Sequence, residues 1–476
     1  MRGISSDHRQ RNFGDWAHIS AVPTSRAGQP PEIEYRGPST RDELKYHEST
    51  QRRDLFWFGG QAAISAFTAG AIGGREPFAR RKAQLPPGSL EQRVAALLQA
   101  FDAQGNHRTG TEVDNASAQW LAYEARLAGA ETSLEPFSLS RVDPQSCYLR
   151  IGEHRIDGVP LFDAGFTGPE GVEGTIGPLG SDAEIALVES EVAEPGESST
   201  QRPDEVAEAR RSRHKAIVVL TRGVRPGLYL LNASRFLKPF GPPGVQVSDI
   251  HSEWLQESAA VRAKVTLVAY VRRTTAQAFN VTAKIVGSVP ALGPVVLMAP
   301  RSAWWQSVSE QGSRLVCWLE AIRVLAAAGP ARGCLFVALS GHELGFLGLE
   351  PYIKRRPDLI KRAHAWIFFG SDIGSPRHQN RIHASDDALE QWAVAVMERE
   401  GLAIDAKVGH DATARGEAGT IQRGGGRCFT VVCPSDFFHS PADRWPDAVD
   451  VGLLARYARA FANGALQLAN QPRISG

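Results

Sequence analysis

The chain has 476 residues, with 53 Lys and Arg against 52 Asp and Glu, and 42% of its residues are hydrophobic. The length predicts two or three folding units, and the balanced charge argues against a nucleic-acid partner. The five cysteines, a low and odd number, predict no disulfide framework.

The N-terminal part of the sequence predicts a targeting segment. Residues 1–50 are polar and predict a disordered extension. Arg52 and Arg53 then precede a charge-free apolar stretch, Leu55 to Gly74, which contains the small residues Ala69-Gly70-Ala71. Residues 51–74 therefore resemble a twin-arginine export signal and predict a periplasmic or extracellular protein. A membrane anchor and an ordinary amphipathic helix in a cytoplasmic protein are the alternatives.

Helical spacing of apolar residues appears next. It predicts one helix from Ser89 to Asp102 and a second from Ala116 to Leu127, with an extended segment starting at Glu135. We assign residues 85–145 to the first part of the main domain.

Residues 146–272 have a different pattern. Short apolar runs, Ile185–Val188 and Ala216–Leu220, alternate with Gly and Pro turns, which predicts a small β-rich domain inserted into the chain. A charged, low-complexity stretch from Ala193 to Arg213 interrupts these runs and predicts a mobile loop.

Strand and helix patterns alternate over residues 273–470. The predicted strands are Phe279–Ile285, Pro294–Met298, Cys334–Leu339, Ala365–Phe369 and Cys428–Val432, and the predicted helices are Gly312–Ala328, Asp387–Arg399 and Val449–Leu468. Such alternation predicts an α/β fold, with a mostly parallel central sheet and helices on both faces.

One motif follows the predicted strand Cys334–Leu339. Residues Gly341–Gly348 read GHELGFLG and place an acid and an imidazole where the strand ends. Open α/β sheets usually keep their active sites at this edge. The motif resembles the strand-end GEExGLLGS sequence of the di-zinc aminopeptidases. The string Lys215–Gly223 is similar to the protease-associated domain that this family often carries, and a generic small β domain is the alternative.

The resemblance implies a zinc site. Its metal ligands would be Glu343, His439, Glu310 and Asp372, and His342 would stand in place of the catalytic general base. Pro300 occupies the position of a further ligand, a histidine, so the site would hold one zinc ion or none. Three retained ligands also resemble the mononuclear site of the glutaminyl cyclases, which share the fold.

Three further residues extend the candidate site. Trp304, Trp305 and Arg301 would line a pocket for a peptide or aminoacyl substrate. Arg301 could instead pair with Asp372 or Glu310 and replace the charge of a lost metal ion.

The site residues also have structural explanations. Glu343 could cap the next helix, Asp372 could accept hydrogen bonds from loop amides, and His439 could be a structural polar residue.

Two functions therefore stay open at the level of sequence. The first is an exported aminopeptidase-like metallohydrolase with an altered, mononuclear zinc site. The second is a non-catalytic pseudopeptidase that uses the same fold for binding or as a scaffold.

Overall fold

The computed structural model describes residues 88–192, 205–377 and 379–471. The predicted extension (residues 1–50) and export signal (residues 51–74) lie outside these described residues. Within the described ranges, no helix is both long and apolar enough to cross a membrane.

Two capped helices open the described part of the chain. Helix α1 (Leu90–Asp102) begins after Ser89, whose hydroxyl accepts a hydrogen bond from the backbone N–H of Gln92 while the Gln92 side chain accepts one from Ser89. This reciprocal capping fixes the predicted start of the helix. Helix α2 (Glu112–Leu127) begins four residues before the predicted Ala116, because Thr111 caps it.

The next elements build a long hairpin and the sheet between its arms. They are β1 (Glu131–Ile151), β2 (His154–Asp157), β3 (Val159–Pro160), β4 (Val172–Pro178), β5 (Ile185–Glu191), α3 (Glu205–Ala209), β6 (Ala216–Arg222), β7 (Gly244–Ser248), α4 (Ser252–Ala260) and β8 (Lys264–Ile285). Strands β1 and β8 pair antiparallel along almost their whole length. The sequence predicted only short extended pieces of these two strands.

The residues between the hairpin arms form a small α/β unit. Strands β4, β5, β6 and β7 lie side by side in parallel, and β3 pairs antiparallel with β7. The prediction of a mobile loop from Ala193 to Arg213 is wrong for residues 205–209. These residues form helix α3, in which Val206 and Ala209 are buried. The assignment of this region to the protease-associated family stays a prediction.

The remaining elements form the α/β core. They are β9 (Val295–Pro300), a π-helical turn (Val308–Gly312), α5 (Ser313–Ala328), β10 (Cys334–Leu339), α6 (Leu349–Lys354), α7 (Leu359–Arg362), β11 (Ala365–Phe369), β12 (Arg381–Ala384), α8 (Asp387–Arg399), β13 (Ala406–Val408), α9 (Glu417–Arg423), β14 (Cys428–Val432) and α10 (Val451–Asn470). The strand order is β13-β12-β14-β11-β9-β10-β8.

The predicted α/β class is confirmed, and the sheet is mixed with a parallel centre. Strands β14, β11, β9 and β10 run parallel, whereas β8 and β12 pair with this group antiparallel. Alternate residues of β9 enter two different cores: Leu297 packs with α5 and α10, and Met298 packs with α6, α7 and α9. Helices therefore cover both faces, as a sheet buried on both sides requires.

Candidate functional site

The candidate residues collect at one edge of the sheet. Strands β9, β10 and β11 are parallel, so the segments after them meet at the same edge. Arg301 follows β9, His342 and Glu343 follow β10, and Asp372 follows β11. The predicted location at the carboxyl ends of the strands agrees with this placement.

Glu343 is held by hydrogen bonds from two other segments. Its Oε1 atom accepts from the backbone N–H of Thr109 at 2.9 Å and from the Thr109 hydroxyl at 2.6 Å. Its Oε2 atom accepts from the Ser302 hydroxyl at 2.7 Å. The side chain is buried and does not cap the following helix. The sequence patterns assigned no role in the site to Thr109 or Ser302.

A second group of acids and imidazoles surrounds Glu310. This residue lies on the π-helical turn, and its Oε1 atom is 3.6 Å from His439 Nε2. Both side chains are buried. The carboxylate of Asp443 accepts from the backbone N–H groups of Ser309 and Glu310, at 2.7 and 3.0 Å, and so holds the turn in place.

His439 presents one open nitrogen. Its Nδ1–H donates to the carbonyl of Leu230 at 2.7 Å, while no hydrogen-bond partner of Nε2 lies among the described residues. Burial lowers the pKa of the imidazole, although the Glu310 carboxylate opposes this change. The neutral ring therefore offers an unprotonated Nε2 atom towards Glu310.

Asp372 is fully buried beside this group. Within the described ranges neither of its carboxylate oxygens has a hydrogen-bond partner, so the carboxylate does not bind loop amides. Burial raises the pKa of Asp372 to about 7, the Glu310 carboxylate adds to the rise, and the Arg314 guanidinium opposes it. Near neutral pH, the carboxyl group is thus partly protonated.

The cation that acts on these acids is Arg314, which the sequence did not single out. It lies in the first turn of α5, and its buried guanidinium interacts electrostatically with Glu310, Glu417 and Asp372. Its Nε and Nη1 atoms have no hydrogen-bond partner among the described residues. Arg314 therefore acts on the acids through space, in a medium of low polarity.

Arg301 does not take the place that the sequence suggested. Its guanidinium is fully buried, 2.8 Å from the carboxylate of Asp114, and it also donates to the Phe279 carbonyl. The expected pairing with Asp372 or Glu310 is thus wrong, because the Arg301 guanidinium is held by Asp114 and Phe279. Asp114 was not predicted, since it lies in an ordinary helical pattern.

His342 is bound to an acid that the sequence did not reveal. Its Nδ1–H donates to both carboxylate oxygens of Glu417, at 3.0 and 3.1 Å. Burial alone lowers the pKa of His342, but the Glu417 carboxylate outweighs burial and the net change is a rise. The rise shifts the ring towards its protonated form, which cannot accept a further proton, and the catalytic role of His342 stays a prediction.

The two tryptophans make different contacts, and their place in a substrate pocket stays a prediction. Trp304 is 2% exposed, stacks on Phe162 at 4.5 Å and donates to Asn232, within the core beneath the β1–β8 hairpin. Trp305 is partly buried, and its indole N–H donates to the carbonyl of His439 at 3.0 Å. Trp305 thereby supports the loop that carries the imidazole.

Backbone strain is concentrated here. Ser307, Asp372 and His439 adopt positive φ values of 51°, 60° and 60°. Each such conformation costs about 1–3 kcal/mol in a residue other than glycine and persists where the surroundings enforce it, often at functional sites. The strained backbone points to a site still built for a function.

The residues do not fit the zinc site that the resemblance implies. No group of three or more His, Cys, Asp or Glu side chains in the described ranges is arranged to hold a metal ion. Glu343 is occupied by Thr109 and Ser302, and Pro300 offers no ligand atom. The charge of Arg314 also opposes the binding of a cation.

Comparisons with known proteins show which solved structures share this fold. No protein-family model and no curated protein matches the chain. An aminopeptidase from Aneurinibacillus sp. strain AM-1 has 15% identity and a TM-score of 0.60, over 83% of this chain and 96% of that one. A zinc aminopeptidase from Bacillus subtilis has 14% identity and a TM-score of 0.63, over 81% and 96% of the two chains.

A further solved structure, a peptidase M28 precursor from Shewanella amazonensis, has 17% identity and a TM-score of 0.64, over 80% of this chain and 95% of that one. Identities this low establish the architecture and leave the activity open. The resemblance that began with GHELGFLG is thus confirmed at the level of the fold, and the chain has the α/β fold of the zinc aminopeptidases.

Proposed function

We propose that the protein binds a peptide or aminoacyl ligand at this site without a metal ion and without cleaving the ligand. The observation that carries this proposal is the state of Glu343, whose two carboxylate oxygens accept hydrogen bonds from Thr109 and Ser302. Three of about four acceptor positions of this carboxylate are thus used inside the protein, so a zinc ion would have to share or displace these charge-assisted hydrogen bonds.

The acid–base groups support the same conclusion. Metal-assisted hydrolysis needs a group that removes a proton from the attacking water. His342 stands at that position, and its ion pair with Glu417 favours the protonated ring. The pair with Glu417 therefore favours the form of His342 that cannot take a proton from water.

Several buried polar atoms of the candidate site have no partner in the described residues, and this favours a polar ligand. Asp372 and His439 Nε2 are buried acceptors, and Arg314 carries buried N–H donors, all without partners in the described residues. Buried polar groups in native proteins nearly always have partners, including bound molecules or water. A peptide supplies both amide N–H donors and carbonyl acceptors and so matches this mixed set.

The second candidate function is a hydrolase with one zinc ion. The open Nε2 atom of His439 and the unpartnered carboxylate of Asp372 favour it, because both are atoms that bind zinc. In this alternative Glu310 would be the third ligand, and Glu343 would have to leave Thr109 and Ser302.

Metal analysis of the purified protein, before and after incubation with zinc, separates the two functions. We expect no stoichiometric zinc and no hydrolysis of aminoacyl anilides or dipeptides. A Glu343→Gln variant should lose stability through the bonds to Thr109 and Ser302 and leave the metal content unchanged. Stoichiometric zinc, together with hydrolysis that disappears in Glu343→Gln, would support the hydrolase and overturn the proposal.

A further inference from the structure

A groove with a volume of about 500 Å³ opens beside the buried site. It is lined by Arg225, Ser375, Pro376, Arg377, Asp436, Phe437, Ala442 and Asp447. The backbone N–H of Ser375 donates to the carbonyl of Asp372 at 2.9 Å, so the groove adjoins the candidate site. Its volume lies in the range of pockets that bind small organic ligands.

Arg225 is one of two arginines that line the groove. It follows β6 in the inserted region, and its guanidinium lies 4.3 Å from the centre of the Phe437 ring. The backbone N–H of Arg225 donates to the hydroxyl of Tyr229 at 3.1 Å. These contacts place the guanidinium over the Phe437 ring, and both residues line the groove.

Asp436 satisfies Arg225 only in part. Arg225 Nη2 is 3.7 Å from Asp436 Oδ2, longer than the 2.7–2.9 Å typical of a charge-assisted hydrogen bond. Arg377 Nη1 lies 3.5 Å from the other oxygen of the same carboxylate. Since the Arg225 side chain is 56% exposed, a second carboxylate can reach it from the groove.

We propose that this groove binds a single carboxylate of a peptide, with Arg225 as its bidentate partner and Phe437 as the apolar floor. Asp436 and Asp447 also line the groove and disfavour a ligand with several negative charges. The inference rests on the proposed function, because it names the chemistry of the ligand that would bind at the adjoining candidate site. The carboxylate belongs either to the C-terminus of the peptide or to an acidic side chain.

Three acetylated tripeptides test this inference by isothermal titration calorimetry with the full chain. They are trialanine with a free C-terminus, trialanine amide, and Ala-Glu-Ala amide. We expect at least one carboxylate-bearing peptide to bind about tenfold more tightly than trialanine amide. The peptide that does so identifies the source of the carboxylate.

Two variants locate the binding. Arg225→Gln should remove the preference for the carboxylate, with a loss of about tenfold in affinity. Arg155→Gln is the matched control, because Arg155 also stacks on an aromatic ring, Tyr148 at 4.1 Å, and pairs with an aspartate, Asp157 at 2.7 Å. The control should bind as the unchanged protein does, and circular dichroism should show both variants folded.

The inference is overturned if no peptide binds, if the amide binds as tightly as the carboxylates, or if Arg225→Gln has no more effect than Arg155→Gln. Mass spectrometry after incubation with trialanine that has a free N-terminus reports on the proposed function separately. Cleaved peptides would contradict the proposed function, while the effect of Arg225→Gln on binding would still decide the groove.

Discussion

The hydroxyl of Thr109 donates to the carboxylate of Glu343 at 2.6 Å, and the backbone N–H of Thr109 donates to the same oxygen at 2.9 Å. The two residues are 234 positions apart in the chain. This contact ties the loop before α2 to the strand-end motif, and in the proposed function Glu343 is a structural acceptor.

Thr109→Val tests that role. Loss of the hydroxyl removes one hydrogen bond to a buried charge, and we expect the free energy of unfolding to fall by about 1.5–3 kcal/mol in urea denaturation. Thr175→Val is the matched control, since Thr175 donates through both its N–H and its hydroxyl to Glu184, which is exposed. An equal loss in both variants would contradict the structural role of the Thr109–Glu343 contact.

Removing the charge of Arg314 should raise the affinity for zinc. In Arg314→Leu, a cation that repels a metal ion is lost while the acids and His439 stay, so we expect an increase of about tenfold or more in competition titrations. Arg323→Leu is the control, because Arg323 belongs to the same helix but pairs with Glu320. If Arg314→Leu binds zinc no better than Arg323→Leu does, Arg314 does not keep the site free of metal.

The buried pair of Arg301 and Asp114 should be costly to break. Asp114→Asn removes the charge that faces a fully buried guanidinium, and we expect a loss of about 3–5 kcal/mol in the free energy of unfolding. Asp157→Asn, in an exposed pair with Arg155, should change the stability little. Comparable small effects in both variants would show that the fold tolerates an unpaired Arg301.

The buried ring of His107 leads us to expect that the protein loses stability in acid. Its ring is buried against Phe101, and burial, helped by the charge of Arg301, lowers its pKa from 6.5 to about 3. Between about pH 6.5 and pH 3, His107 is protonated in the unfolded chain and neutral in the folded chain. The free energy of unfolding should therefore fall by up to about 1.4 kcal/mol for each unit that the pH is lowered in this range.

Urea unfolding between pH 7 and the lowest pH at which the protein stays folded measures this slope. His107→Gln should be less stable at pH 7 and should show a shallower decline as the pH falls, because one titrating group is gone. The same slope in both proteins would mean that His107 does not contribute to acid sensitivity.

Export is tested in the cell. We propose that residues 51–74 direct the protein across the membrane, and an Arg52→Lys/Arg53→Lys variant should then stay in the cytoplasm, because the twin-arginine route reads the arginine pair and not its charge alone. Fractionation of cells that express each form gives the measurement. An unchanged location in the variant would contradict the signal.

Local sequence patterns determined much of the α/β core. Strands Cys334–Leu339 and Ala365–Phe369 and helix Asp387–Arg399 were predicted with the bounds that the structure has. Each is a short element whose apolar spacing alone identifies its type. The resemblance of the GHELGFLG motif likewise predicted the fold correctly. A fold, and the order of its motifs along the chain, persist when single site residues are replaced.

Tertiary structure decided the chemistry of the site. Glu343 meets Thr109, and His342 meets Glu417 from a position 75 residues away, so no local pattern could reveal either pair. The sequence suggested Arg301 as the cation near the acids and did not single out Arg314, and only the packing of β9 and α5 set Arg301 against Asp114 and Arg314 near Glu310. Hydrogen bonds and ion pairs act over a few ångströms, and distances that short depend on how the elements pack in space.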